Sequence, residues 1–380
     1  MPFKYDDVTL DVRGISTKLR YLEQPGDSPS DPVILLLHGH SSSTEEFVDL
    51  LPELEGKAHV FAFDQPNCGL SAEVKRDTVR ATYQSSPAFK SYEGSSYLRD
   101  VSAAFAASVV VPRIGTRKVR VAGGSLGGNL TLLLAERTPR YSWIERAFVW
   151  SPGSAWPPSA SQSLGAGVAR KRSNHDWSAP GQLREFLEIT FTENTVPVPE
   201  PKSYPQPWYW YWDCWGEPQG AGRCQKVGRG GCALCHGAPK LEYQGQALAP
   251  SNPYPGMGEK KVKAIEGALH AVASRLTPVR AQWHWEIAAE QVELSHWQPV
   301  TSGLRIGMLQ CDTRFMAGTE DKHFPAPLYD LTRALFDRAK TIFAHKANAP
   351  KIDSHWFPQT GHSVHNERPA DLAAVLAGSA

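Results

Sequence analysis

The chain has 380 residues, enough for one large α/β domain with a substantial insertion, or for two domains. Its 41% hydrophobic and 21% charged residues, with a formal net charge of +1, leave no electrostatic reason to expect nucleic acid or an anionic membrane as partner. No apolar run approaches a membrane span, and Met1-Pro2-Phe3-Lys4-Tyr5-Asp6-Asp7 lacks the apolar core of a signal peptide, which reads as a cytoplasmic protein.

In chain order, Asp7 to Val12 and Ser16 to Leu22 alternate apolar and polar residues around Arg13-Gly14 and predict an N-terminal hairpin. A polar loop then leads to Val33-Ile34-Leu35-Leu36-Leu37, too continuous for a half-exposed strand and suited to a central parallel one. It ends in His38-Gly39-His40-Ser41-Ser42-Ser43, at the carboxyl end of a strand, where open α/β sheets place their chemistry. Gly39 lets the backbone turn so that the His40 amide can point at an oxyanion. The His38 and His40 rings themselves are read as shaping the loop. Glu45 to Leu54 predicts a short amphipathic helix, His59 to Phe63 a strand, and Asp64 a brace for the turn that follows. Leu98, Val101, Phe105 and Val109 at helical spacing predict a helix over 95–110.

The stretch Val119-Arg120-Val121-Ala122-Gly123-Gly124-Ser125-Leu126-Gly127-Gly128-Asn129-Leu130 reads as strand, sharp turn and helix around Gly-x-Ser-x-Gly. A serine at such a turn is strained and needs small residues two before and two after it, which Gly123 and Gly127 supply. The turn lifts the Ser125 hydroxyl above the sheet and leaves the Leu126 amide at a helix N-terminus. Ser125 is the candidate nucleophile, and the His40 and Leu126 amides form a candidate two-donor oxyanion hole.

Arg146 to Trp150 reads as a further buried strand, and regular alternation resumes only at Asp312 to Gly318. Asp321 follows that strand. Pro327 to Lys340 predicts a helix, Lys351 to Phe357 a last strand, and Gln359 to Glu367 a loop before the final helix. A serine hydroxyl needs a base oriented by a carboxylate, and Ser125, Asp321 and His362 follow one another in that order, each after a strand end. His365 is a second candidate base, but Gly361 before His362 suits the tight loop better. Among the acids, Asp312 precedes its strand, Asp353 lies inside one, and Glu320 adjoins Asp321.

With His38-Gly39, Asp64 to Ser71, Gly123 to Gly128, Gly318 to Asp321 and Gly361-His362 in place, the chain resembles the α/β-hydrolase fold superfamily. The resemblance implies a mostly parallel central sheet with helices on both faces, and a large cap inserted after the sixth strand. It also implies Ser125 as nucleophile, His362 as base, Asp321 as acid, and His40 and Leu126 as oxyanion donors. The expected division is a core of 1–151 and 310–380 with a cap of 152–309.

Within the expected cap, Trp208-Tyr209-Trp210-Tyr211-Trp212, if extended, places Trp208, Trp210 and Trp212 on one face. That face could line a pocket for an apolar or aromatic small molecule, or form the cap's own core. Cys214, Cys224, Cys232 and Cys235 cluster tightly, as metal ligands in intracellular proteins do. A structural zinc stapling the cap is the expectation. Free thiols, disulfides and covalent haem at Cys232-Ala-Leu-Cys235-His236 are the alternatives, and catalysis itself needs no cofactor. The leading expectation is a carboxylesterase-like serine hydrolase acting on an ester, thioester or lactone. An acyltransferase, a carbon–carbon bond hydrolase and a non-catalytic small-ligand receptor are the competing readings, and oligomeric state is not legible.

Overall fold

A computed structural model describes residues 3–40, 42–83, 93–137, 140–152, 242–243, 246–247, 308–319, 350–378, and 275, 277, 279, 280, 282–284, 286, 287, 290 and 291. The hairpin strands are β1 (Lys4–Val12) and β2 (Ile15–Gln24). They are followed by β3 (Val33–Leu37), β4 (His59–Phe63), β5 (Val119–Gly124) and β6 (Ile144–Trp150). Two-residue strands β7 (Glu242–Tyr243) and β8 (Gln246–Ala247) pair only with each other, and β9 (Asp312–Gly318) and β10 (Ile352–Phe357) return to the main sheet.

The main sheet has eight strands in the order β1-β2-β4-β3-β5-β6-β9-β10. Pairs β1/β2 and β2/β4 are antiparallel, and every pair from β4 to β10 is parallel. All five residues of β3 are buried because both of its faces are covered. Val33, Leu35 and Leu37 join Val121, Val149, Tyr97, Val101, Phe105 and Leu130 in one hydrophobic layer. Ile34 and Leu36 join Ala122, Phe148, Trp150, Leu50, Leu54 and Leu372 in the other. The period-two alternation of one strand thus feeds two cores, one on each side of the sheet. This is the expected mostly parallel sheet with helices on both faces.

Two helices differ from their predicted form. The stretch 45–54 is not one helix but a 3₁₀ turn, Thr44–Phe47, and then α1, Leu50–Leu54. Pro52 has no N–H to give the Val48 carbonyl, so no continuous α-helix can pass through. The helix expected over 95–110 begins at Glu93, runs as α to Phe105, widens into a π turn at Ala106–Val110 and resumes over Val111–Ile114. The widened turn falls where Pro112 can no longer donate to the helical ladder. A helix at Arg76–Tyr83 carried no sequence expectation.

The C-terminal strand is followed by a helical turn, Val364–Glu367, and a final helix, Pro369–Ala377. The helix expected over 327–340, the tryptophans Trp208, Trp210 and Trp212, and the cysteines Cys214, Cys224, Cys232 and Cys235 lie outside the described residues. Among the described residues, no helix is long and apolar enough to cross a membrane, and no group of three or more His, Cys, Asp or Glu could hold a metal ion.

Of the described residues between 275 and 291, Trp283 and Ile287 are buried in the first hydrophobic layer. The Arg76 guanidinium pairs with Glu286 at 2.8 Å and with Glu290, whose other oxygen accepts from the Ser95 amide at 2.8 Å. Arg280 donates to the carbonyls of Gly69 at 2.8 Å and Ser71 at 2.9 Å. The buried Arg76 thus has carboxylate partners, and the half-buried Arg280 has carbonyl ones.

Candidate active site

β5 runs directly into the helix Ser125–Ala135, and Ser125, half-buried, holds a φ of 52° at the junction. That left-handed backbone costs a non-glycine residue about 1 kcal/mol or more and persists only where the surroundings enforce it. The surroundings are tight. A Cβ on Gly127 would collide with the Leu37 carbonyl, and one on Gly123 would lie 2.5 Å from the Gly127 carbonyl carbon. Glycines at both positions let the elbow seat against the end of β3, as the sequence pattern predicts. Leu126, buried, is the second helical residue, and its amide has no intrahelical acceptor.

The loop after β3 is fixed from several sides. The buried His38 ring accepts from the Gln65 amide through Nε2 at 2.9 Å and therefore donates through Nδ1 to the Gly39 carbonyl at 2.8 Å. Burial holds its pKa below the ordinary value, and Asp64 opposes that shift. His38 is a neutral loop-shaping ring, as expected. Asp64 accepts from the Thr44 amide at 2.8 Å, the Thr44 hydroxyl at 2.9 Å and the Leu70 amide at 2.8 Å, so it braces the loops on both sides. The His40 ring donates through Nε2 to the His284 carbonyl at 2.6 Å. Burial pushes it down to about 4.

Sequence reasoning missed Glu46. Its two carboxylate oxygens lie 2.9 and 3.0 Å from the Gly39 amide nitrogen and share that donor. A Cβ on Gly39 would lie 3.4 Å from Glu46 Oε2 and 3.7 Å from Ser125 Cβ, so the carboxylate and the serine flank the same glycine. Burial raises the carboxyl to about 7, against the opposing pull of the Ser42 hydroxyl, the Gly39 amide and His362. No motif marks this position. In sequence Glu46 falls in the stretch 45–54, which reads as a short amphipathic helix, and nothing separates it from that helix's other polar residues.

The histidine loop leaves β10 on the same sheet edge, because β3, β5, β9 and β10 all run parallel. The end of β9 is pressed against this loop so closely that a Cβ on Gly318 would strike the Thr360 and Gly361 carbonyls. The Gly361 amide donates to Glu367 at 3.1 Å, and half-buried His362 follows it. The competing base, His365, is buried and accepts from the Trp150 indole at 3.2 Å. Burial, reinforced by repulsion from His362, pushes it down to about 3, so it is a neutral packing group.

Two competing acids are occupied elsewhere. Asp312 is the first residue of β9, at the opposite edge, where it accepts from the Lys351 amide at 2.7 Å. Asp353 would be raised by burial, but Arg314 and Arg146, each at 2.8 Å, hold it below the usual carboxylate value. Asp321, like Glu320, lies outside the described residues. The described edge therefore gathers Ser125, Glu46, His362 and the backbone of His40 and Leu126.

A model of the alpha/beta hydrolase family matches residues 34–375. Curated protein sequences contain no match. Among solved structures, the chain is similar to epoxide hydrolase A from Mycobacterium thermoresistibile, with 16% identity, a TM-score of 0.54, and 98% and 97% of the two chains covered. A thermophilic esterase from Thermogutta terrifontis gives the same identity and TM-score, with 98% and 96% covered. Carboxylesterase CesB from Bacillus subtilis gives 14% identity and a TM-score of 0.50, with 99% and 93% covered.

Proposed function

The chain belongs to the alpha/beta hydrolase family, and we propose that it is a serine hydrolase cleaving a carboxylic ester, thioester or lactone of a small apolar or aromatic substrate. The observation that carries the reading is the left-handed Ser125 at the strand-to-helix junction, beside a Leu126 amide that no helical carbonyl occupies. Strained residues of that kind cluster at active sites, and among the described ones Ser125 is the one that also stands at the start of a helix behind a parallel strand.

In this reading Ser125 Oγ attacks the substrate carbonyl while His362 takes the hydroxyl proton. The oxyanion receives hydrogen bonds from the Leu126 and His40 amides. His362 then returns the proton to the departing alcohol, leaving an acyl-enzyme on Ser125. A water molecule, giving a proton to His362, attacks that acyl group, and His362 returns the proton to Ser125 Oγ as the acid leaves. Asp321, after β9, is assigned to orient the imidazole and stabilise its charged form. Trp208, Trp210 and Trp212 are assigned to the substrate's apolar part, following their spacing.

The test is turnover of short-chain p-nitrophenyl esters and labelling by a serine-directed fluorophosphonate, for wild type and Ser125→Ala. Turnover and labelling that vanish together in the variant support the proposal. A folded wild type that neither turns over nor labels overturns it, in favour of a ligand-binding role.

A further inference from the structure

Two loops from opposite ends of the chain meet at one residue. The Glu46 carboxylate takes the Gly39 amide at 2.9 and 3.0 Å, on the loop whose next amide, that of His40, is assigned to the oxyanion. The Glu46 carbonyl accepts from Asn366 Nδ2 at 3.1 Å, on the turn that follows His362. Phe47, next in sequence, sets its ring against His365 at 5.9 Å in an edge-on contact. The 3₁₀ turn carrying Glu46 is thus a crosspiece between the oxyanion loop and the histidine loop, and its side chain flanks Gly39 together with Ser125.

Resting on the serine hydrolase reading, we propose that Glu46 is a positioning residue, a carboxylate that holds the oxyanion loop through Gly39 and places negative charge beside His362. Hydrolysis puts a positive charge on the imidazole when it takes the serine proton. A carboxylate within electrostatic reach favours that charged form, and so raises the basicity of His362. The hydrogen bond to Gly39 acts separately, because it fixes the backbone from which the His40 amide projects, and an oxyanion donor gains most from being fixed in advance.

The groups facing the Glu46 carboxyl, among the described residues, are the Ser42 hydroxyl and Gly39 amide from its own loop and His362 from the C-terminal loop. Cys68, from the turn after β4, also senses the Glu46 charge, and its thiol is pushed up by burial above all. With its proton lost near pH 7, Glu46 is charged in the alkaline part of the neutral range and neutral below it. Its support of His362 therefore strengthens as pH rises through that point.

The variants Glu46→Gln and Glu46→Ala separate the two roles. Gln keeps an acceptor for the Gly39 amide and removes the charge. Ala removes both. The readouts are the pH profile of kcat/KM on a p-nitrophenyl ester and the His362 imidazole titration by NMR, with the His362 signal assigned by its loss in His362→Asn.

Both variants should lower the His362 midpoint by about half a pH unit or more, which moves the acid limb of the profile to lower pH. Ala should in addition lower kcat by about tenfold or more relative to Gln, with KM little changed, because the oxyanion bond matters in the transition state. An unmoved His362 midpoint in a folded Gln or Ala variant overturns the proposal, as does equal kcat in the two.

If neither variant folds, Glu46→Asp decides, since it keeps the charge and withdraws it from Gly39. A reduced kcat supports the proposal, and an unchanged kcat overturns it. The NMR midpoint does not depend on turnover. A wild type without ester turnover therefore sinks the hydrolase reading, whereas turnover with a His362 midpoint that ignores Glu46 sinks only the positioning role.

Discussion

The His40 imidazole donates to the His284 carbonyl at 2.6 Å, tying the loop after β3 to a segment 244 residues further along. The two rings also meet edge-on at 5.7 Å. Burial pushes His40 down to about 4, so the ring stays a neutral donor across the working pH range. His40→Ala should lower stability by about 1 kcal/mol, the usual net worth of one such bond. It should reduce kcat/KM by no more than about tenfold, because the proposed oxyanion donor is the backbone amide, which alanine keeps. Thermal melts and ester kinetics on the purified variant check both figures. A loss of about a thousandfold or more would make the imidazole itself a reacting group.

Ser125 stores backbone strain that a glycine would release. Ser125→Gly should abolish turnover and fluorophosphonate labelling while raising the unfolding free energy by up to about 1 kcal/mol. Ser125→Ala should abolish the same activities without that gain, since alanine is as strained at a φ of 52°. Chemical denaturation of the three proteins side by side checks the order, and equal stability of the two variants would refute it.

His365 makes the fold sensitive to acid in a stated direction. Its folded pKa, about 3, lies below that of an unfolded histidine near 6.5. Between those values the unfolded chain binds more protons, so stability falls as pH drops through the window. His365→Gln leaves an acceptor for the Trp150 indole and removes the titration. The variant should lose less stability than wild type between pH 6.5 and pH 5, with a recovery on the order of 1–2 kcal/mol. Denaturation midpoints measured at both pH values for both proteins provide the check, and parallel pH dependences would remove His365 as the cause.

The four clustered cysteines, Cys214, Cys224, Cys232 and Cys235, carry a proposal from their spacing alone. Protein purified without added metal should contain about one zinc per chain. A chelator should lower the melting temperature while ester turnover by the folded protein continues, because the proposed serine chemistry uses no metal. Absence of zinc would end that proposal and leave the proposed triad untouched. Turnover that survives Ser125→Ala but is lost on chelation would move the chemistry to the cysteines.

Much of the sheet was legible because its signals are local. Val33–Leu37 reads as a doubly covered strand from five apolar residues in a row, and the elbow reads from glycines two positions either side of Ser125. The helix breaks were less legible. Pro52 stands within the helical pattern read over 45–54, and Pro112 lies two residues past the pattern read over 95–110, whose regular apolar spacing gives no sign that the last turn widens. Of the candidate site, chain order and neighbouring glycines led to Ser125 as the proposed nucleophile and to His362 over His365 as the proposed base, and chain order alone led to Asp64 as a brace, the role its hydrogen bonds to Thr44 and Leu70 give it.

The sequence by itself determined the order of the parts, namely the strands, the turn at Ser125, the loop at Gly39 and the loop at His362. Each depends on residues a few positions apart, and backbone sterics act over that range. Only the tertiary structure decided which side chains would share the sheet edge. Glu46 became a partner of Gly39 and a neighbour of Ser125 and His362, and the His284 carbonyl became the anchor of His40. Those relationships arise where parallel strands bring distant loops to one edge and remove them from water. A carboxylate there must find an amide, and a ring nitrogen must find a carbonyl, wherever in the chain they happen to lie.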